Sequence, residues 1–251
     1  VRESISSLVR HHLVPFFLVD SENPNRMAIE VSQTARCDWL AILAESDARG
    51  RVCPDPDHLV KQVKLFRDRA EDLGCLTTPF PFPSDHARFL YFRDPNRQPD
   101  SPAFEKFTCD VTLMSGLPGA GKDHWMDRHA TGLDVISLDA IRLDLRVAPS
   151  DPQGEVLNRA RELARENLRE GRDFVWNATN LSRHVRGECI RLFHDYGARV
   201  KIVYVEVPVD RPFSQNRPRR RKVPEGVLER LLDRWEVPDA TEAHSVEWVV
   251  T

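Results

Sequence analysis

Apolar residues recur with two different spacings along the chain, and the spacing changes near residue 108. Before that point, one set of apolar residues is separated alternately by four and three positions: Leu59, Val63, Phe66, Ala70 and Leu73. This spacing places them on one face of a helix. After it, short apolar runs such as residues 111–115 and 200–207 alternate with helical patterns. Alternating strands and helices predict an α/β fold, with a mostly parallel sheet and helices on both faces, preceded by a small helical region.

Three segments follow from these patterns. Residues 1–75 are expected to be helical, with one apolar stripe over residues 27–43, and Gly50 begins the break before the next helix. Residues 76–107 contain six prolines interleaved with aromatic residues. Prolines at this density exclude a long helix, and solvated linkers are poor in aromatic residues, so we expect an extended connector that packs against a neighbouring domain. Residues 108–251 form the predicted α/β domain.

Within the α/β domain the pattern predicts five strands and five helices, which alternate except that two helices follow the second strand. The strands are expected at residues 111–115, 135–138, 174–176, 200–207 and 246–250. The helices are expected from the glycine-rich turn to about residue 130, and at 139–145, 151–171, 182–196 and 223–235.

Composition narrows the class of protein. The chain has 251 residues with 36 basic and 39 acidic side chains, so a strongly basic nucleic-acid coat is excluded and any basic site must be local. No apolar run approaches the roughly 20 residues of a membrane helix, and no secretory signal is visible. Five scattered cysteines form no C-x-x-C pair, which argues against a disulfide framework and favours the cytoplasm. Because residue 1 is Val, we expect a portion of a longer protein.

The strongest motif is the run from Gly116 to Asp123, GLPGAGKD, which matches the phosphate-binding pattern G-x-x-x-x-G-K. Its glycines let backbone N–H groups converge on phosphate oxygens, and the helix that follows adds a positive N-terminal dipole. Lys122 is expected to reach the β- and γ-phosphates. A chance glycine turn is the alternative, but an apolar strand, glycines, lysine and helix all coincide here. The motif therefore predicts a nucleoside triphosphate site.

Asp123 stands where Ser or Thr normally ligates Mg²⁺. A carboxylate is also a hard oxygen ligand, so we expect Asp123 to contribute to the metal site. The alternative is an acidic first-turn residue that interacts favourably with the helix dipole. Asn177, at the end of the third predicted strand, is neutral where a carboxylate that helps to hold Mg²⁺ is frequent. Our hypothesis is that Asp123 substitutes for the missing carboxylate; Asn177 could instead bridge backbone groups at the strand end.

Asp139 and Arg142 follow the second predicted strand. In a parallel sheet the carboxyl ends of the strands face the ligand crevice, so Asp139 is expected beside the phosphate loop. Its carboxylate could accept the proton of an attacking hydroxyl. Arg142 lies three residues on, on the same helix face, where it could bind a phosphate of the substrate. A helix-capping Asp followed by a surface Arg is the alternative.

A local basic segment, RPRRRK at residues 217–222, is hidden by the balanced net charge. Such a run is usually a solvated surface. Its position suits a mobile lid that closes on phosphates and supplies an arginine to the transition state, with the remaining charges free to meet a nucleic-acid backbone.

Together these motifs resemble the polynucleotide kinase branch of the phosphate-loop kinases over about residues 108–250. Four motifs carry the resemblance: GLPGAGKD, the D-x-x-R of Asp139 and Arg142, NATNLS at residues 177–182, and Q-N-R-x-R…V-P at residues 215–224. It implies transfer of the γ-phosphate of ATP, with Mg²⁺, to the 5′-OH of RNA or DNA in nucleic-acid repair. Asp123 and Asn177 depart from the pattern of that family.

The resemblance also implies a role for each residue. Asp139 is the expected general base, Lys122 the phosphate binder, Arg142 the contact to the substrate phosphate, and Arg217 or Arg219 the lid arginine. The expected metal ligand, Asp123, departs from the family pattern, so its role rests on the carboxylate chemistry described above and not on the resemblance. The expected ATP-binding residues are Gly116, Gly119, Ala120, Gly121, Lys122, Asp123, His124 and Arg219.

The N-terminal helical region is similar to the last part of an HD-type phosphohydrolase domain. His11, His12 and the stretch around Asp47 carry this likeness. The His-Asp pair that would carry the metal site is missing from this region, so no phosphohydrolase activity is predicted. The arrangement resembles a bacterial fusion of an HD domain with a 5′-kinase, and a homodimer through this region is a further expectation.

Two alternative functions remain open. The phosphate loop says nothing about the acceptor, so the kinase could act on a small-molecule or tRNA-attached hydroxyl. The irregular Asp123 and Asn177 leave room for a nucleotide-binding module without catalysis. Phosphate transfer to an oligonucleotide, transfer to small alcohols, and binding without transfer would distinguish the three.

Overall fold

The structure is a computed structural model that describes residues 2–52, 55–148, 151–208 and 225–250. The chain divides into two compact units. Unit 1 comprises Val1–Tyr91, Asn96–Pro102 and Asp239–Thr241, and unit 2 comprises Phe92–Pro95, Ala103–Pro238 and Glu242–Thr251. Every helix in the described ranges is too short or too polar to cross a bilayer.

In the part of the chain that the structure describes, six helices precede the sheet. They are α1 (Arg2–His11), α2 (Val14–Phe17), α3 (Pro24–Ser32), α4 (Cys37–Gly50), α5 (Pro56–Asp72) and α6 (Asp85–Arg93). The core of unit 1 forms where Leu40 and Ala44 of α4 meet Val63 and Phe66 of α5, all of them buried. The apolar residues whose spacing predicted a helix therefore form the face of α5 that packs into this core.

The apolar stripe over residues 27–43 is not one continuous helix, in contrast to the sequence-based expectation. The N–H groups of Thr34 and Ala35 both donate to the carbonyl of Val31, at 3.0 and 2.9 Å, which closes α3 in a tight turn. Arg36 is extended, and α4 begins at Cys37. The turn changes the direction of the chain while the apolar faces on both sides of it stay buried.

The proline-rich segment at residues 76–107 contains a helix that was not expected. The hydroxyl of Ser84 accepts a hydrogen bond from the N–H of Ala87 at 3.1 Å and starts α6. Phe89 and Tyr91 are buried on this helix. The prolines flank α6 rather than interrupt it, so their density excluded a long helix but not one of nine residues.

Unit 2 contains a five-stranded, fully parallel sheet with the order β2-β3-β1-β4-β5. The elements are β1 (Asp110–Ser115), α7 (Lys122–His129), β2 (Asp134–Ser137), α8 (Leu138–Asp144), α9 (Gly154–Arg169), β3 (Phe174–Asn177), α10 (Arg183–Asp195), β4 (Arg199–Glu206), α11 (Glu225–Leu232) and β5 (Ser245–Val250). The α/β fold class and the element order are confirmed. The largest differences are at α9, which begins three residues later and ends two residues earlier than predicted, and at α11, which ends three residues earlier than predicted.

The sheet holds α7 against its central strands. Met126 of α7 belongs to one buried cluster with Val175 of β3 and Val203 and Val205 of β4. Trp125 donates from Nε1 to the carboxylate of Glu247 on β5 at 3.2 Å. The helix that follows the phosphate-binding motif is thus fixed by contacts on three strands and on both apolar and polar sides.

Candidate functional site

The phosphate-binding motif forms a tight loop between β1 and α7. Gly116, Gly119 and Gly121 have φ angles of +145°, +87° and +100°, which residues with a Cβ rarely adopt. A Cβ on Gly116 would lie only 2.4 Å from the carbonyl oxygen of Val205 on β4. Glycine at position 116 is therefore required both by the backbone conformation and by the close approach of the neighbouring strand.

The loop after β3 supports the start of the phosphate loop. The N–H of Gly116 donates to the carbonyl of Thr179 at 2.9 Å, and the Ser115 hydroxyl donates to the carbonyl of Asn180 at 2.9 Å. The side-chain amide of Asn180 donates in return to the carbonyl of Met114 at 2.7 Å. These bonds tie the NATNLS stretch to the last residues of β1, so the position of one loop depends on the other.

Lys122 lies at the first position of α7, and its ammonium group folds over the loop. It donates to the carbonyl oxygens of Gly116 and Leu117 at 2.9 and 3.0 Å. The positive charge thus lies beside the loop and close to the N-terminus of α7. Both features attract the phosphates of a nucleotide.

Asp123 and Asn177, the two departures from the family pattern, are in contact. The side-chain amide of Asn177 donates to Oδ1 of Asp123 at 3.2 Å. No cluster of three or more metal-ligating side chains is present in the described ranges. A single carboxylate nevertheless fits Mg²⁺ brought by a nucleotide, because protein-bound Mg²⁺ is often held by one or two carboxylates together with substrate phosphates. Asp123 is exposed and accessible for that purpose.

Asp139 and Arg142 lie at the same edge of the sheet. Ser137, the last residue of β2, pairs with Asn177 and caps α8 through its hydroxyl. Arg142 forms an ion pair with Asp139 through Nη1 and donates from Nε to Oε1 of Gln153 at 2.6 Å. The Asp139 side chain is 91% exposed, whereas that of Arg142 is 24% exposed. The arginine is thus fixed on two sides and the carboxylate remains open to an acceptor.

The other predicted site residues are placed as follows. Gly119 and Ala120 lie in the phosphate loop, where the N–H of Ala120 donates to the carbonyl of Leu117 at 3.1 Å. His124 is exposed on the first turn of α7. Arg217 and Arg219 lie outside the described residues.

A cavity of about 510 Å³ opens beside the site, between α7 and the ends of β2 and β3. Two carboxylates, two hydroxyls and one amide line it together with three apolar side chains: Asp123, Asp127, Thr131, Ser137, Asn177, Met126, Ala130 and Val135. No cation is among these lining residues. Its chemistry suits a neutral, hydroxyl-rich group better than a phosphate.

The residues that hold the site in place were not predicted from the sequence. Arg186 on α10 is fully buried and paired with Glu242, and Gln153 fixes Arg142. One signal was visible: Arg186 falls four and seven positions before Ile190 and Phe193, on the buried face of a helix. A charged residue at such a position needs a partner, which the sequence does not identify.

These features define a phosphate-loop kinase-like domain. They are a parallel sheet, a glycine-rich loop between its central strand and a helix, and a carboxylate and an arginine at the end of a neighbouring strand. Residues 111–238 match the AAA domain family. The chain belongs to that family.

Several solved structures are similar to this chain. A proposed kinase from Chloroflexus aurantiacus J-10-fl is 17% identical, covers 59% of this chain and 87% of its own, and has a TM-score of 0.46. A gluconokinase from Sinorhizobium meliloti 1021 is 17% identical, with 58% and 84% covered and a TM-score of 0.41. An APS kinase from Mycobacterium tuberculosis, in complex with AMPPNP and APS, is 16% identical, with 57% and 90% covered and a TM-score of 0.39.

Proposed function

We propose that this protein is a phosphotransferase that moves the γ-phosphate of ATP to the 5′-OH of a polynucleotide. The observation that carries the proposal is the fixed Arg142 beside the open carboxylate of Asp139, at the sheet edge where Lys122 and the phosphate loop also lie. The D-x-x-R, NATNLS and Q-N-R-x-R motifs support a polynucleotide as the acceptor.

In this proposal each side chain has one task. The phosphate loop and Lys122 bind the β- and γ-phosphates, and Lys122 exchanges its bonds to the loop carbonyls for bonds to phosphate. Asp139 accepts the proton of the 5′-hydroxyl as its oxygen attacks the γ-phosphorus and ADP leaves. Arg142 binds a phosphate of the acceptor. Arg217 or Arg219 contacts the transferring phosphate, a role proposed from the sequence alone.

Asp123 is proposed to hold Mg²⁺, and Asn177 to orient its carboxylate through the 3.2 Å hydrogen bond. The ion would neutralise charge on the β- and γ-phosphates. The contact supports the idea that the carboxylate moved from the strand end to the helix, because the amide at the strand end now faces it.

The proposed reaction is tested with γ-labelled ATP and 5′-OH oligonucleotides of RNA and DNA. Wild-type protein is expected to label the oligonucleotide, and Asp139→Asn to lose labelling by about 100-fold or more, within the range of general-base effects. Asp144→Asn, an exposed acid on the same helix, is the matched control and is expected to keep activity. Labelling that survives in Asp139→Asn would reject the assignment of the base.

The metal proposal is tested by titrating Mg²⁺. Asp123→Ala is expected to need at least tenfold more Mg²⁺ for half-maximal transfer, and Asn177→Asp in that background to recover part of the loss. Asp127→Ala is the control, since this carboxylate lies one turn further along α7 and lines the same cavity. An unchanged Mg²⁺ dependence in Asp123→Ala would exclude a metal role.

A second candidate function is phosphorylation of a small polyhydroxyl acceptor. The carboxylate- and hydroxyl-lined cavity beside the phosphate loop favours it, because such groups hydrogen-bond sugar hydroxyls. Transfer of label to small polyols but not to oligonucleotides would support this candidate. Nucleotide binding without transfer to either acceptor would indicate a non-catalytic module.

The likeness of the helical region to an HD domain stays a prediction, as do the segment boundaries at residues 75 and 107 and the homodimer. The side chains that suggested the likeness make local contacts: His12 bonds the carbonyl of Val9 at 2.7 Å, His11 contacts the Thr34 hydroxyl at 3.2 Å, and Asp47 pairs with Arg51. We propose no catalytic role for them. Reading the gene upstream tests the fusion, since a segment with a His-Asp pair is expected there.

A further inference from the structure

Arg186 makes an unusually complete set of hydrogen bonds inside unit 2. Its Nε and Nη2 atoms donate to the two carboxylate oxygens of Glu242 at 2.7 and 2.8 Å. Its Nη1 atom donates to the carbonyl oxygens of Asn180, Leu181 and Glu236 at 3.1, 2.9 and 2.9 Å. Both charged side chains are almost fully buried, at 0% and 4% exposure. A buried guanidinium is tolerated only when paired and hydrogen-bonded in this way.

One side of this network leads to the phosphate loop. The carbonyl of Asn180 accepts from Arg186 and also from the hydroxyl of Ser115, the residue before the loop begins. The preceding carbonyl, that of Thr179, accepts from the N–H of Gly116. Asn180 has a φ angle of +43°, in the left-handed region that Asn enters more readily than most residues other than glycine. The bond from Arg186 to its carbonyl helps to hold this conformation.

The other side leads to the chain that follows α11. The N–H of Glu236 donates to the carbonyl of Leu181 at 3.0 Å, and its carboxylate accepts from the N–H of Arg183 at 2.5 Å. Glu242 then supplies the counter-charge to Arg186. The guanidinium therefore binds residues 180–181, Glu236 and Glu242 to the first turn of α10.

We propose that Arg186 and Glu242 are positioning residues for nucleotide binding. They hold the loop after β3, and through the Thr179–Gly116 and Asn180–Ser115 bonds they hold the first peptide of the phosphate loop in the conformation that receives phosphates. They touch no phosphate themselves. The inference rests on the proposed use of the loop for ATP, but not on the identity of the acceptor.

Geometry distinguishes this role from simple stabilisation of the fold. An ion pair that only filled the core could be replaced by apolar side chains with little loss, as buried pairs in other proteins often can. Here three carbonyl oxygens would lose the bond from Nη1, and two of them, those of Asn180 and Leu181, belong to the loop that supports Gly116. These two would keep only the bonds from the Ser115 hydroxyl and the Glu236 N–H. Substitution is thus expected to loosen the phosphate loop even where the domain stays folded.

The test compares ATP binding in three variants of the full chain by calorimetry at 10 °C with Mg²⁺. Arg186→Lys keeps the charge beside Glu242 but cannot make all five bonds. The double variant Arg186→Met with Glu242→Met removes both charges together and leaves no unpaired buried ion. Ile190→Ala is the matched control, because Ile190 is fully buried on the same helix and contributes to stability. Circular dichroism establishes that each variant is folded at the temperature of the measurement.

We expect Arg186→Lys and the double variant to bind ATP at least tenfold more weakly than wild type. Ile190→Ala is expected to melt at a lower temperature yet to bind ATP within twofold of wild type. Folded Arg186 variants that bind ATP within twofold of wild type would overturn the proposal. An equal loss in Ile190→Ala would also overturn it, since reduced stability alone would then account for the effect.

Hydrogen exchange without nucleotide gives a second readout. The Gly116 amide is expected to exchange faster in Arg186→Lys than in wild type, and to be unchanged in Ile190→Ala. This measurement needs no ligand, so it tests the role of Arg186 separately from the proposed function. If the wild-type protein binds no ATP, the proposed function fails. The link between Arg186 and the phosphate loop is still tested by the exchange rate of the Gly116 amide. Unchanged exchange at Gly116 in Arg186→Lys would reject that link.

Discussion

Replacement of Gly116 by alanine tests how closely the phosphate loop is built against the sheet. The added Cβ would lie 2.4 Å from the carbonyl oxygen of Val205, where ordinary contacts begin near 3.4 Å. To remove this clash, the loop or β4 would have to move by about 1 Å. Both are backbone segments, so neither can move as easily as the end of a flexible side chain. β4 is hydrogen-bonded to β1 over six residue pairs and to β5 over another six, so the loop is expected to move.

The magnitude follows from two costs. A φ angle of +145° is a glycine-only conformation, and holding alanine there costs roughly 1–3 kcal/mol. Overpacking in a close-packed interior adds about 1–3 kcal/mol. Gly116→Ala is therefore expected to reduce the free energy of unfolding of unit 2 by about 2–6 kcal/mol, the sum of the two costs. At roughly 2–4 °C per kcal/mol for a domain of this size, the melting temperature falls by on the order of 10 °C.

Thermal unfolding followed by tryptophan fluorescence is a suitable assay, because four of the five tryptophans lie in unit 2: Trp125, Trp176, Trp235 and Trp248. Gly121→Ala has a positive φ of +100° but no neighbour within 4 Å, so it isolates the strain. Gly187→Ala, in the open interior of α10, is expected to stabilise by up to about 1 kcal/mol. A Gly116→Ala protein that melts within 2 °C of wild type and binds ATP equally well would refute the reasoning.

Three further predictions concern single contacts. Arg142→Gln is expected to raise the KM for the acceptor about tenfold or more through loss of a charge-assisted bond, with ATP affinity unchanged in calorimetry. Burial of the imidazole, and then the charge of Arg10, lower the pKa of His11 in the folded protein. As the pH falls below about 6.5, the unfolded chain therefore takes up a proton at His11 before the folded protein does. The free energy of unfolding measured in urea should fall from pH 7.5 to 5.5, and it should fall less in His11→Gln. Ser182→Ala removes the cap that accepts from the Val185 N–H, and should cost about 1 kcal/mol in the same urea experiment.

The α/β part of the fold could be predicted because its signals are local. The phosphate loop needs glycines, a lysine and an apolar strand within a few residues, and each is visible in the sequence around Gly116 and Lys122. The ends of β2 and β3, at Ser137 and Asn177, lie within one residue of the ends that the short apolar runs predict. Parallel pairing then brings these ends to one edge without any further information.

The features that could not be predicted depend on contacts between residues far apart in the sequence, or on local capping and turn residues that the spacing of apolar residues does not reveal. The Arg186–Glu242 pair joins residues 56 positions apart, and only the folded sheet brings them together. α6 was missed because prolines dominated the composition of its surroundings, although the cap at Ser84 was present in the sequence. The turn before Cys37 was missed because apolar spacing continues across it while the backbone changes direction.

The contact between Asp123 and Asn177 links two substitutions that the sequence presents 54 positions apart. If both positions held carboxylates, their oxygens would lie about as close as the atoms of this hydrogen bond, and one pKa would be strongly raised. An amide at the strand end can instead donate to the carboxylate, and the first turn of α7 favours a negative charge. The two departures from the family pattern therefore depend on each other electrostatically. The carboxylate of Asp123 is compatible with this site because the neighbouring side chain at the strand end, Asn177, is neutral. A metal bound there would be held by the residue nearest to the phosphate loop rather than by the sheet.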